Sequence, residues 1–433
     1  MSLFRKDLSI PSLIASVHEL FLKVPDPKPV LQTKTNIPIV DHLMSGLAVF
    51  GLKCSSLLEY DRKRTSEATA QNLRNLYMVG TPPSDTYLRE RLDEVNPDNL
   101  RPAFKKLFAL FQRGKGLEGF EYLDGHVLLS GDGTGHFSSS KVSCPSCCKK
   151  EHSNGTTSYY HQMFGVCVVH PDKRNVIPLC PEPILNQDGN EKNDCERNAC
   201  KRFLENFRRE HPHLKAILVE DGLSSTAPNI RMIDEHALKY ILVAKPGDHQ
   251  FLFEQLESSE NTQYHEEKTA DGCLHQFHFL NDVSLNKSNL DVKVNVIEYR
   301  QTDAKGKETS FSWVTNIQIT VANIMKIMRG GRARWKIENE TFNTLKNLGY
   351  NFNHNYGHGK KHLSTIFCML MLLAFLIDQI QEICCSLYQR CRKALYTYRE
   401  LWENMRVLFR RVCLKSWEMF YLILADEKVF NTS

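Results

Sequence analysis

The chain has 433 residues with 55 Lys and Arg against 50 Asp and Glu, a formal net charge of +5, and 42% hydrophobic and 24% charged residues. Such a length can hold a large core and more than one domain, and the composition excludes a disordered or fibrous chain. The small positive balance permits a polyanionic partner without requiring one, and fourteen cysteines scattered along a long chain fit a reducing cytoplasm better than a disulfide-stapled scaffold.

The opening stretch, MSLFRKDLSIPSLIASVHELF, has neither the apolar run nor the cleavage site of a secretory signal. Residues 1–115 read as short helical units, broken by PDPKP at 25–29 and by Thr81-Pro82-Pro83. Ser84 and Asp85 are placed to cap a helix over TYLRERLDEV. Lys105, Lys106, Arg113 and Lys115 gather at the end of this region. Such a run is either a solvated helix face, the reading favoured on this evidence alone, or a phosphate contact.

Near residue 121 the pattern turns to strands, and residues 1–115 are expected to be removable from a folded core. GHVLLSGDGTGHF (125–137) is predicted as an apolar strand ending in Asp132 and a Gly-rich turn. YYHQMFGVCVVHP (159–171) and RNVIPLCPEPI (174–184) read as the next two strands, joined at Pro171–Lys173. Residues 193–210 read as a helix capped by Asn193 or Asp194, with Ala199, Phe203 and Phe207 on one face. KAILVEDGL (215–223) is a strand ending in Asp221, IRMIDEHAL a short helix, and KYILVAK (239–245) a further strand. This order predicts a mixed α/β sheet. Residues 246–318, with alternating runs such as DVKVNVIEYR and TSFSWVTNIQI, read as a β-rich insertion. Residues 361–425 read as helical. The apolar run IFCMLMLLAFLI (366–377) is short for a membrane span, which takes roughly 20 residues, and reads as a core helix.

Arg334 to Leu348 lacks Gly and Pro and is predicted helical. At about 100° per residue, Trp335, Phe342 and Leu345 form an apolar arc that contains Glu338 but not Glu340. A carboxylate on a buried face must be paired or bind metal. Arg334, one turn earlier, can pair with it. Alternation along the two strands puts Leu128, Ser130 and Asp132 on one side, and Ile217, Val219 and Asp221 on one side, with Glu220 opposite. If those strands are neighbours, Asp132 and Asp221 meet at the strand ends, where α/β sheets gather ligand groups, and Glu338 can join them. Three carboxylates without Cys or His form a hard oxygen site suited to two Mg2+ or Mn2+ ions. Set roughly 3.5–4 Å apart, one ion would activate a water or 3′-hydroxyl and the other would stabilise the leaving oxygen.

With these residues in hand, the chain resembles the DDE transposases of bacterial insertion sequences, which carry a ribonuclease-H-like core. The resemblance rests on LLSGDGTGHFSS (128–139), YYHQM (159–163), NDCERNA (193–199), EDGLSS (220–225), KPGDH (245–249), SWVTN (312–316) and RARWKIENETFNTLKNLGY (332–350). It is similar to the group with a Tyr-x2-Arg-x3-Glu-x6-Lys signature and a β-rich insertion before the catalytic Glu. Arg334 and Glu338 match that spacing. The Tyr position is Gly331, and the Lys position is Leu345, with Lys346 next to it and within reach of phosphate. The resemblance implies catalysis and metal binding by Asp132, Asp221 and Glu338, recognition of terminal inverted repeats by the N-terminal helices, DNA contact by Arg334 and Lys336, a homodimeric synaptic complex, and residence in a bacterial cytoplasm, on the nucleoid when DNA-bound. It divides the chain into a terminal-repeat-binding region (1–115), a first core segment (116–245), the insertion (246–318), the segment of Glu338 (319–360) and a helical region available for dimer contact (361–433). Two other readings stand beside it: a structure-specific nuclease on the same core, and a degenerate transposase that only binds DNA. The N-terminal region and insertion speak against the first, and the presence of all three acids speaks against the second.

Cys144, Cys147, Cys148 and His152 form C-x2-C-C-x3-H. They read as ordinary reduced cysteines in preference to a zinc-held loop, a site His161 could complete. Trp313 reads first as packing in the insertion and second as an aromatic for stacking on a flipped base. His354, His358 and His362 lie four apart among glycines and read as loop hydrogen-bond or phosphate donors, not metal ligands.

Overall fold

The computed structural model describes residues 8–27, 37–186 and 195–425. Its N-terminal part consists of α1 (Ile10–Phe21), α2 (Ile39–Gly51), α3 (Leu57–Lys63), α4 (Glu67–Tyr77), α5 (Asp85–Leu92) and α6 (Arg101–Arg113). Ser56 and Ser84 start α3 and α5 by accepting the N–H groups of Glu59 and Tyr87. At the Thr81–Pro83 break, the N–H groups of Gly80 and Thr81 donate to the Asp41 carboxylate, 3.0 and 2.8 Å. The caps expected at Asn193 or Asp194 lie outside the described residues; Cys195 precedes the helix there.

The strands are β1 (Val127–Ser139), β2 (Cys148–Glu151), β3 (Thr157–Val169), β4 (Ile177–Pro178), β5 (Glu182–Ile184), β6 (Ala216–Glu220), β7 (Lys239–Val243), β8 (Gln263–Lys268), β9 (Leu274–Asn286), β10 (Asn289–Thr302) and β11 (Glu308–Thr315). They form one sheet in the order β2-β3-β1-β6-β7-β11-β10-β9-β8, with β4 and β5 paired to β3. β1 is antiparallel to β3 and parallel to β6, and β6 is parallel to β7. Helices α7 (Glu196–Glu210) and α8 (Ala227–Glu235) link the parallel strands. This is a mixed α/β sheet, as the order of elements predicts, with helical N- and C-terminal regions.

One local expectation fails. Residues 131–135 do not turn, because β1 continues through its glycines to Ser139. Residues 246–318 begin with a helix, α9 (Gln250–Ser258), and their strands extend the core sheet, since β11 pairs with β7. Trp313 is 1% exposed and stacked on Phe311, 5.7 Å between centroids, so in this state it packs and presents no face to a base.

Beyond the sheet, α10 (Ile324–Arg332), a π-helical segment (Ile337–Phe342) and α11 (Asn343–Asn347) lead to α12 (Leu363–Cys384), α13 (Ser386–Ala394), α14 (Tyr398–Arg411) and α15 (Trp417–Ala425). α12 is long and apolar enough to cross a membrane, yet it is buried inside the fold almost throughout, as the core-helix reading requires. It packs on α2, itself buried on nearly every face. Lys53, fully buried, pairs with Asp378 of α12 at 2.6 Å and lies over the rings of Tyr350 and Trp402. Arg101 of α6 pairs with Glu182 and Glu210 at 2.7 and 2.8 Å, and Asn72 of α4 donates to the carbonyls of Phe409 and Val412. The N-terminal helices therefore share one continuous core with the C-terminal ones, and residues 1–115 are not a separable unit.

Candidate active site

The register of β1 on β6 runs from Val127↔Ala216 to Ser130↔Val219. Carried two positions further, it sets Asp132, midway along β1, level with Asp221, just past the C-terminal end of the parallel strand β6. β6 is buried along its whole length and stops at Glu220, and the chain then turns as Asp221 Oδ1 accepts the N–H of Leu223, 3.0 Å. Asp132 stays in the strand and accepts the N–H of Gly133, 2.8 Å.

The face carrying Ser130 and Asp132 is covered by the segment of Glu338. Ser130 Oγ donates to the Arg334 carbonyl, 2.8 Å. Phe342 sits against Gly165, the β3 partner of Asp132, and Thr341 Oγ1 lies 3.4 Å from Cys167 Sγ. The predicted continuous helix is interrupted. Ala333 and Arg334 form a turn, and over 337–342 the backbone widens so that the N–H of Asn343 bonds the Glu338 carbonyl, five residues back. A wheel drawn at about 100° per residue therefore loses phase. Ile337, Thr341, Phe342 and Leu345 are buried, while Trp335 is 47% exposed and Glu338 is exposed. No ion pair joins Arg334 to Glu338 among the described residues; the Arg334 guanidinium instead lies 4.3 Å above the Trp335 ring.

Asp132 nevertheless feels the charges of these groups, although Glu338 does not line the cavity that Asp132 and Asp221 share. Burial pushes the Asp132 carboxyl up, the Gly133 N–H and Arg334 oppose this, and the charges of Asp221 and Glu338 add to it. A fourth carboxylate, missed in the sequence, is Glu196 in the first turn of α7. Its carboxyl is raised first by burial and then by Asp132 and Asp221. A Cβ at Gly133 would overlap it, and one at Gly131 would meet the Phe164 ring at 2.7 Å. The alternating glycines 131, 133 and 135 were the legible signal, since they mark a strand face that other groups approach closely. Asp132, Asp221, Glu196, Glu220 and Arg197 line a cavity of about 290 Å³. Glu220, on the opposite face from Asp221, is buried, and its carboxyl is pushed up to about 7 by that burial. Glu340 lines a different cavity, with Arg174, Tyr350 and Asp378. Asp132, Asp221 and Glu338 offer only carboxylate oxygens, so the donor set fits Mg2+ or Mn2+.

The other predicted residues scatter. Lys336 Nζ donates to the Lys173 carbonyl, 2.6 Å, and Lys346 is half-buried on α11. Lys105 and Lys106 lie on α6. The charge of Lys105 acts on His211, at the far end of α7 from Glu196 and so about 22 Å away by helix rise. Cys148 and His152 do not join a ligand set, because Cys148 Sγ faces the Ile184 carbonyl and His152 Nε2 lies 2.6 Å from Ser158 Oγ. His161 and, against expectation, His358 instead converge with Cys144 and Cys147.

No family model and no curated protein matches the chain. Among solved structures, it is similar to the cryo-EM structure of a piggyBac transposase synaptic complex with hairpin DNA, with 10% identity and a TM-score of 0.43 over 99% of this chain and 82% of that one.

Proposed function

We propose that this chain is a transposase that cuts DNA at the ends of its element and joins the freed 3′-hydroxyls to target DNA. The observation that carries the reading is the register of β1 on β6, which levels Asp132 with Asp221 beneath the segment bearing Glu338. In this reading Asp132, Asp221 and Glu338 hold two divalent ions. Ions at such a site supply activation of the attacking oxygen and neutralisation of the leaving one. Asp132, half-buried and crowded by like charges, has its repulsion relieved by a bound cation more than a solvated carboxylate would. Arg334 has no carboxylate partner among the described residues, and its fork of donors suits a phosphate beside the scissile bond. Trp335, exposed beneath that guanidinium, offers an unpaired base the stacking surface that buried Trp313 does not.

The test uses oligonucleotides that end in the inverted repeats flanking the coding DNA. Strand cleavage and joined products are expected with Mg2+ or Mn2+, and binding without efficient chemistry with Ca2+. Full activity in EDTA, or a genomic setting without inverted repeats, contradicts the reading.

A further inference from the structure

Four side chains from three segments point their donor atoms at one another. Cys144 and Cys147 lie between β1 and β2, His161 lies in β3, and His358 lies between α11 and α12. All four donor atoms fall within 4.8 Å of each other. The two Sγ atoms are 3.7 Å apart, and the two Nε2 atoms 3.3 Å. His161 Nε2 is 3.4 Å from each sulfur, and His358 Nε2 is 3.2 Å from Cys147 Sγ. A tetrahedral zinc ion with Zn–S of about 2.3 Å and Zn–N of about 2.0 Å requires about 3.8 Å between sulfurs, about 3.3 Å between nitrogens and about 3.5 Å between unlike donors. Five of the six edges match that tetrahedron to within about 0.3 Å, and the sixth, from Cys144 Sγ to His358 Nε2, is no longer than 4.8 Å.

The surroundings are built to aim these donors. The N–H of Cys147 bonds the Cys144 carbonyl at 3.1 Å, and the N–H of Cys144 points at Cys147 Sγ, 3.4 Å, which folds C-x2-C into a tight turn. His358 Nδ1 lies 2.8 Å from the Gly359 carbonyl, so it donates there and leaves the Nε2 lone pair facing inward. Gly357 and Gly359 flank it at φ of +151° and +72°, and a side chain at 359 would overlap the Asp93 carboxylate. That carboxylate accepts the N–H groups of Lys360, Lys361, His362 and Leu363, fixing the loop at the start of α12. Cys147, His161 and His358 are buried, and Cys144 is half-buried.

We propose that Cys144, Cys147, His161 and His358 bind a structural Zn2+ ion. Two thiolates and two imidazoles in a closed tetrahedron are the donor set and geometry of zinc, and they leave no position for a substrate. The ion ties the loop after the Glu338 segment to the hairpin that carries Asp132, so it holds the two halves of the carboxylate site in register. The assignment is independent of whether the protein acts on DNA.

The test is metal content and Co2+ spectroscopy on the full chain. Wild-type protein is expected to carry one zinc per chain. After exchange it should show the intense ligand-field absorption of tetrahedral cobalt with thiolate charge-transfer bands. Cys147→Ser and His358→Asn should lose the metal, and Cys148→Ser and His152→Asn should retain it. A wild-type chain that takes up no zinc on reconstitution, or gives the weak spectrum of octahedral cobalt, overturns the proposal without reference to any variant. So does metal loss in Cys148→Ser or His152→Asn with retention in His358→Asn.

Discussion

Of the two roles open to Arg334, pairing with a buried Glu338 and gripping a phosphate, the first meets an exposed Glu338 and a guanidinium that rests on Trp335. A structural role for the pair loses its geometry, and the phosphate role remains. Arg334→Lys keeps the charge and loses the fork, so it should melt with the wild type and cleave roughly 100-fold more slowly. A large fall in melting temperature, with cleavage reduced only in proportion to unfolded protein, refutes this. His42 makes a separate prediction. Burial pushes its imidazole down to about 4, whereas the unfolded chain protonates near 6.5. Its contribution is complete above pH 6.5 and is lost as pH falls from there towards 4, by about 3 kcal/mol in total. The stabilities of wild type and His42→Phe, from denaturant titrations at pH values across this window, should diverge by about that amount in total; parallel stability–pH curves contradict it. Glu338 itself was legible as a residue to single out, but its exposure was not. The wheel assumed a regular helix, and nothing in IENETF announces an i→i+5 turn.

The glycines of α10 are an element-scale matter. Gly331, at the Tyr position of the signature, has no room for any side chain, because a Cβ there would come 2.5 Å from Trp313 Nε1. Close contact of α10 with β11 replaces the missing side chain. Gly331→Ala must therefore push α10 away from the sheet, at a cost of about 1–3 kcal/mol. Chemical denaturation measures this, and an unchanged midpoint counts against it. The strands were readable because β6 and β7 are near-continuous apolar runs and β10 alternates. Gly-rich β1 beyond Asp132 was misread as a turn. Its glycines serve the neighbouring Phe164 and Glu196 side chains, which only the fold brings close.

At the scale of the whole molecule, the change from helical units to a strand pattern near residue 121 suggests a detachable N-terminus. The structure instead buries Lys53 against Asp378 and Arg101 against Glu182. Removing one partner of such a pair costs about 3–5 kcal/mol. Deleting residues 1–115 removes several such partners together with α2, and should yield insoluble or unfolded protein, as circular dichroism will report; a cooperative melt of the truncated chain contradicts this. Long-range pairing of this kind leaves no local trace in the sequence, and neither does the union of His358 with Cys144 and Cys147. In the proposed reading Asp132, Asp221 and Glu338 act as one metal-dependent site, whereas Glu340 lines another cavity. The most direct test of that reading is Mg2+-dependent strand cleavage by Asp132→Asn, Asp221→Asn, Glu338→Gln and Glu340→Gln, each first shown to bind the terminal repeat. The account predicts no cleavage by the first three and near-normal cleavage by Glu340→Gln, whereas an active Glu338→Gln beside a dead Glu340→Gln would contradict it.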